Sequence, residues 1–352
     1  MSKQRVRVGI VGAGANTRLR HIPGLREIEG VEIVGVVNRS AQSTERVAQE
    51  FEIPTRFASW QELVASPEID AVMIGTWPNM HCAVTCAALD AGKHVLCEAR
   101  MAMNLAEARQ MLAVSQAHPE LVAQLVPSPF GLISGPTVHQ MLRDHYIGDL
   151  REIVVLGAND QFWDYSKPLH WRQDASVSGK NTLALGILHE TLMRWAGEPA
   201  QVFAQSELFE PTRPCPEESK FSEVTIPDSL QVLAELKGGA RAMYHMSGAI
   251  LFGPGLQIHL YGSRGTIKVH FEGNQERVLI GRAGDAALHE VEIPEDEQGR
   301  WTVEADFIAA IRGEMKEVTL TNFKSGVAYM EFTEAVARSA ERNESVSLPL
   351  DE

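Results

Sequence analysis

Three stretches of this chain carry residue types at spacings that can do chemistry. The first is Gly12-Ala13-Gly14-Ala15-Asn16-Thr17, which directly follows the apolar run Val6–Val11. Closely set glycines after a strand permit a tight turn, let the backbone approach a pyrophosphate, and aim the amino end of the next helix at its charge. Thr17 stands where a third glycine or alanine is usual, so the run taken alone is equally a plain strand-to-helix turn. Its position in the first βα unit favours a dinucleotide, with Gly12, Gly14, Ala15 and Asn16 at the phosphates. The second stretch, Val36-Val37-Asn38-Arg39-Ser40, ends the second strand, where a carboxylate would read the ribose of NAD. Asn38 replaces it and does not repel a phosphate, while Arg39 can stack on adenine and pair with a 2′-phosphate and Ser40 can donate to it. NADP is therefore expected in preference to NAD, the alternative being a solvated arginine at a helix entrance.

The third stretch is the helical-period segment 181–197. Ala184, Leu188, Thr191 and Trp195 form one stripe and Leu185, His189 and Leu192 its neighbour, which puts His189 beside a buried face. His189 is either a core histidine or a substrate-site group, and Asn181 either caps the helix or contacts substrate. Glu190 and Arg194 are spaced for an intrahelical ion pair. No second histidine follows His189-Glu190 at zinc-motif spacing, and His81 with Cys82 and Cys86 offers poor ligand geometry, so no catalytic metal is expected. Upstream, Trp163, Tyr165, His170, Trp171 and Arg172 are aromatic or hydrogen-bonding groups that either stack on a sugar ring or fill a core.

These groups need elements to hold them. Strands are expected at Val6–Val11, Val31–Val37, Ala71–Thr76, His94–Cys97 and Leu121–Val126, with helices near 18–28, 41–50, 79–91 and 105–117, the alternation of a parallel sheet. Beyond Pro127-Ser128-Pro129 the pattern changes. Ile153–Leu156, Leu230–Leu236, Ala240–Met246, Gln257–Tyr261 and Thr266–Phe271 alternate apolar and polar, as strands with one wet face do, and helices are expected near 181–197, 301–313 and 325–342. The expected fold is α/β: an N-terminal Rossmann domain over 1–127, then an α+β domain with a mostly antiparallel open sheet over 128–352. Its last helix is free to pack back on the first domain.

The 352 residues are 44% hydrophobic and 22% charged with a formal charge of −14, which suits a globular protein and repels a nucleic-acid backbone. No apolar run approaches the roughly 20 residues a membrane helix needs. Met1-Ser2-Lys3-Gln4 leads almost directly into a strand, leaving no room for a signal peptide. A cytoplasmic location is expected, and Cys82, Cys86, Cys97 and Cys215 are too scattered for a disulfide framework.

Further runs, taken together and in order, resemble the glucose-fructose oxidoreductase and inositol dehydrogenase (Gfo/Idh/MocA) family. They are Gly9-Ile10-Val11-Gly12-Ala13-Gly14, His21-Ile22-Pro23-Gly24-Leu25, Ile74-Gly75-Thr76-Trp77-Pro78-Asn79-Met80-His81 and Ala91-Gly92-Lys93-His94-Val95-Leu96-Cys97-Glu98. In the second domain they are Trp171-Arg172-Gln173-Asp174 and Arg194-Trp195-Ala196-Gly197-Glu198-Pro199. The resemblance implies that Thr76, Trp77, Pro78 and Asn79 line the cofactor, with His81 and Glu98 near the nicotinamide ribose. Members typically follow that glutamate with Lys-Pro. Here Ala99-Arg100 follows, and Ala99 carries no proton while the charge on Arg100 is fixed. The family's Asp and His, four apart on a helix, align with Ala184 and Leu188. His189 is then the candidate catalytic acid or base, and Arg100 the candidate stabiliser of oxygen charge.

Three functions follow as expectations. The first is an NAD(P)-dependent oxidoreductase acting on a secondary alcohol or ketone of a sugar, cyclitol or related polar small molecule. The second is a variant that retains its cofactor and performs redox-neutral sugar elimination or glycoside cleavage; the third is a catalytically silent dinucleotide sensor. A dimer or tetramer is expected, as symmetric assembly is common.

Overall fold

The computed structural model describes residues 4–215, 220–316, 318 and 320–351; Met1 to Lys3, named above in the reading of the amino terminus, lie outside the described residues. Two compact units emerge. The first comprises Met1–Pro127 and Thr302–Val327, the second Ser128–Trp301 and Ala328–Glu352. Residues 302–327, counted above with the second domain, thus pack with the first.

In the first unit, β1 (Val6–Val11) leads into α1, a wide turn at Thr17–His21 continued by Ile22–Arg26. The elements that follow are β2 (Val31–Val37), α2 (Ala41–Glu50), β3 (Thr55–Arg56), α3 (Trp60–Ala65), β4 (Ala71–Ile74), α4 (Pro78–Asp90), β5 (His94–Cys97), α5 (Leu105–Ala117) and β6 (Ala123–Leu125). The six strands form one parallel sheet in the order β3-β2-β1-β4-β5-β6. Val6, Val8, Ile10 and Val11 of β1 and all of β4 are buried, because helices cover both faces of a parallel sheet. The order reverses direction between β1 and β4, and such a switch point is where sheets of this kind hold ligands, outside the carboxyl ends of their strands.

Two expectations need correction here. The helix near 18–28 is not regular: Ile22 N–H bonds Thr17 O, five residues back, and Pro23 within the segment lacks the N–H an α-helix would use. The strand expected to run to Thr76 ends at Ile74, where Gly75 turns against the first loop. The short elements β3 and α3 carried no periodicity long enough to read.

The second unit contains α6 (Gly135–Arg143), β7 (Leu150–Ala158), a single turn at Trp171–Gln173, α7 (Ala175–Ser178), α8 (Leu185–Ala196), β8 (Pro199–Glu207), β9 (Thr212–Cys215), β10 (Lys220–Glu223), β11 (Ser229–Leu236), β12 (Arg241–Ser247), β13 (Gly255–Gly262), β14 (Gly265–Glu272), β15 (Gln275–Arg282) and β16 (His289–Val291). After α9 (Val303–Ile311) of the first unit, α10 (Phe323–Arg342) is divided between the units and β17 (Val346–Ser347) closes the chain. Nine strands form one sheet, β16-β15-β14-β13-β7-β12-β11-β8-β17, antiparallel at every pair except β7 with β12. In β11, Leu230, Val232, Ala234 and Leu236 are buried while Gln231, Leu233 and Glu235 face outward. The alternation read from the sequence is therefore the sheet's two faces. On the covered face α8 lies over β7, where a side chain on Gly157 would meet Leu188 at 3.1 Å and Ala184 at 3.3 Å.

Candidate functional site

The turn after β1 is built by mutual close approach. Gly12 adopts φ +84°, and a Cβ there would meet Thr76 Cγ2 at 2.6 Å. A Cβ on Gly75 would lie 2.0 Å from Thr17 Oγ1 and 2.3 Å from Gly12 O. Gly75 thus supplies, just beyond β4, the room that a third small residue usually supplies, and Thr17, 1% exposed, fills it. Gly14 and Ala15 are exposed, and beside the turn the Thr76 hydroxyl is buried with no partner among the described residues. An open glycine turn with an orphaned hydroxyl at its rim fits the phosphates of a dinucleotide.

At the end of β2, Asn38 shapes this turn: its Oδ1 accepts from Ala13 N at 2.7 Å and its Nδ2 donates to Ser43 O at 3.1 Å. Ser40 caps α2 by accepting from Ser43 N at 3.2 Å. Arg39 is exposed, its guanidinium 5.3 Å from the centre of the Trp77 ring. Arg39 and Trp77 therefore present a cation and an aromatic face side by side at the carboxyl ends of β2 and β4. Asn79 is exposed at the start of α4, while Pro78 is buried as its first residue.

Beyond β5 lies a buried charge cluster whose centre, His21, had no assigned role in the sequence. Its Nε2 is 2.9 Å from Glu98 Oε1 and its Nδ1 2.5 Å from Glu304 Oε1. Asn16 Nδ2 donates to the same Glu98 oxygen, and Glu98 Oε2 accepts from Ala99 N at 3.0 Å. Burial opposes a charge on His21, but the two carboxylates more than offset it and raise its pKa to about 9. Burial would likewise raise Glu98; His21 first, then Asn16 and the Ala99 N–H, hold its carboxyl below the usual range.

His81 is enclosed. Its Nε2 is 3.1 Å from Thr76 O and its Nδ1 3.0 Å from Arg100 O, and burial, ahead of these contacts, lowers its pKa. The ring braces the loop after β4 against the loop after β5, so its effect on a cofactor passes through those loops. Arg100 is buried, and the peptide joining it to Ala99 is cis.

In the second unit, the structure goes against His189 as a proton carrier. The ring is 0% exposed, stacked 3.5 Å from Phe332, with Nδ1 2.8 Å from the Tyr244 hydroxyl. Burial lowers its pKa to about 3, so it stays neutral at ordinary pH, and the core alternative describes it. Asn181 does not cap α8: Ala184 holds that position, and Asn181 Nδ2 donates to Ser178 O at 2.7 Å. The Glu190–Arg194 pair is present at 3.4 Å, and Glu190 also accepts from Ser128 N at 2.7 Å.

The aromatic segment gathers into a cluster. The His170 ring lies 5.7 Å from both Phe162 and Trp171, and Arg172 stands 4.4 Å over Trp171. Trp163 and Tyr165 are 45% and 37% exposed. Beneath them Arg213, 1% exposed and missed in the sequence, donates to Phe162 O at 2.5 Å and Asp164 O at 2.7 Å.

Comparison with known proteins agrees with this architecture. Residues 6–124 match the family model described as "Oxidoreductase family, NAD-binding Rossmann fold", and residues 136–268 match the model of the GFO/IDH/MocA C-terminal domain. Trans-1,2-dihydrobenzene-1,2-diol dehydrogenase of Sus scrofa is 25% identical over 69% of this chain and 66% of its own length. The 1,5-anhydro-D-fructose reductase of Ensifer adhaerens is 38% identical over 31% of this chain and 33% of its own. The chain spans about half to two thirds of the length of the first curated relatives it matches. A levoglucosan dehydrogenase solved with NADH and L-sorbose superposes with TM-score 0.87 at 19% identity, covering 98% of this chain and 99% of that one, which shows a shared fold. With both of its family models matched in order along the sequence, this chain belongs to the Gfo/Idh/MocA oxidoreductase family.

Proposed function

We propose that this protein is an NAD(P)-dependent dehydrogenase or reductase acting on a secondary alcohol or ketone of a sugar, cyclitol or related polar small molecule. The observation that carries the reading is the open turn at Gly12–Gly14, with the orphaned Thr76 hydroxyl beside it, in a chain of an oxidoreductase family. A bound dinucleotide would supply the hydride chemistry. The protein's share is to bind through Gly12, Gly14, Ala15, Asn16, Thr76 and Asn79, and to orient through Glu98. Relatives named for a diol, an anhydro-fructose and levoglucosan support the substrate class, as does the aromatic cluster of Trp163, Tyr165, His170, Trp171 and Arg172.

Arg100 is assigned to charge on the reacting oxygen, and no proton transfer is assigned to His189. General acid–base assistance is typically worth about 10²–10⁴ in rate, so turnover is expected to be slow beside an enzyme with lysine at the Ala99 position. Those two positions also favour a second reading, a dinucleotide binder without turnover. Fluorescence titration with NADH and NADPH, followed by a screen of sugars, cyclitols and dihydrodiols, tests both. Binding with substrate-dependent absorbance change at 340 nm is expected; binding without turnover across the panel would favour the second reading, and no binding would end both.

NADP is the preferred form in this reading, because β2 ends without a carboxylate and Arg39 is free to meet a 2′-phosphate. Arg39→Gln is expected to weaken NADPH about tenfold and leave NADH nearly unchanged. Tighter NADH than NADPH binding by the unmodified protein would refute the preference. The same reading takes the protein as cytoplasmic and as a dimer or tetramer in solution, which light scattering would check.

A further inference from the structure

In a regular α-helix, side chains five residues apart point about 140° from one another. Asn16 and His21 have that spacing, yet both reach Oε1 of Glu98, with Asn16 Nδ2 and His21 Nε2 only 3.4 Å apart. The wide turn closed by Ile22 N–H on Thr17 O brings them together. Wide turns of this kind occur frequently at functional sites. From α9, Glu304 takes the other ring nitrogen of His21 at 2.5 Å. The His21 side chain is 0% and that of Glu304 5% exposed, so one cation and two carboxylates are withdrawn from water together. An apolar cluster of similar volume would be about as stable, and a buried ionic group is therefore poor value as a fastener.

Glu98 is the member with an open side, its side chain 14% exposed. It follows β5, on the half of the sheet across the β1/β4 switch point from β2, whose end reads the adenine ribose. The second ribose of a dinucleotide laid across that switch point falls on the Glu98 side, and a carboxylate is the acceptor that vicinal ribose hydroxyls require. We propose that His21, backed by Glu304, is a positioning residue that holds the Glu98 carboxylate toward the hydroxyls of the ribose beside the nicotinamide. This rests on the cofactor reading above. Asn16 is the second tether, which ties the phosphate turn to the same oxygen.

The test compares NADH with ADP, which reaches the adenine end and the phosphates but has no second ribose. In the full-length protein, His21→Gln and Glu98→Gln are each expected to weaken NADH about tenfold, leave ADP within about twofold, and combine to little more than either alone. Glu304→Gln, which keeps a hydrogen-bonding partner for the ring, is expected to weaken NADH less than His21→Gln does. Unchanged NADH affinity in His21→Gln would overturn the inference, as would an equal loss of ADP and NADH, which would make His21 a prop for the turn alone. If His21→Gln does not fold, Glu304→Gln decides by the same NADH-to-ADP ratio. An unmodified protein that binds ADP and NADH alike refutes the role of Glu98, whereas one that binds neither refutes the cofactor reading itself.

Discussion

His21 in the first unit and His189 in the second are both shut off from water, yet their surroundings give them opposite charge. His21 lies between Glu98 and Glu304 and keeps its proton to about pH 9. His189 lies between Phe332 and Tyr244, with no carboxylate at its ring among the described residues, and stays neutral to about pH 3. Burial opposes the charged form in both; the difference lies entirely in what the ring nitrogens face. The consequence is that burial alone does not fix the charge of a histidine: a ring enclosed by Phe332 and Tyr244 stays neutral, whereas one enclosed by two carboxylates keeps its proton.

The contrast can be broken most decisively at His21. Its proton is bound to about pH 9 in the folded chain against about 6.5 unfolded, so its contribution is complete below about pH 6.5 and fades as pH rises through about 9. Removing the ring leaves Glu98 and Glu304 without their cation, at a cost of about 3–5 kcal/mol. His21→Gln should therefore lower the urea midpoint strongly at pH 6 and much less at pH 9.5. A gap constant across that range would show that His21 is not charged.

His189 should give the mirror image with a somewhat smaller amplitude. Its contribution is complete above about pH 6.5 and fades as pH falls toward about 3, because the unfolded chain takes up the proton first. His189→Ala empties a ring-sized space against Phe332 and is expected to cost about 3 kcal/mol at pH 8, and less at pH 5. NADH affinity of the folded variant should match the unmodified protein. A tenfold loss would return His189 to the site.

Much of this was legible in the residues, and the illegible part has a common cause. Strands β1, β2 and β5 and helices α2 and α5 fall at the expected residues because each is marked by its own apolar run or cap. The tight turn after β1 was legible from Gly12 and Gly14; that Thr17 is tolerated depends on Gly75, a partner just beyond the end of β4. His21 meets partners 77 and 283 residues away, through a turn whose width no local pattern announced. Likewise the face that carries His189 was readable from α8, but Tyr244 and Phe332 come from β12 and α10. Helical period tells which way a side chain points, and only the tertiary fold supplies what it meets. Arg213 under the aromatic loop belongs to the same class.

A loss without a titrating group sharpens the comparison from the other side. Ser40 caps α2 through Ser43 N, and Ser43 Oγ in turn bonds Ser40 O at 2.9 Å, all between uncharged groups. Ser40→Ala should cost about 1 kcal/mol. Because neither folded nor unfolded chain changes its proton count at this position, the shift in urea midpoint should be flat from pH 5 to pH 9.5. That flat line is the baseline against which the falling His21 gap and the rising His189 gap are to be read. If Ser40→Ala itself bends with pH, the first unit is changing conformation over that range, and the slope seen with His21→Gln would have to be corrected by the same amount before it is ascribed to the ring.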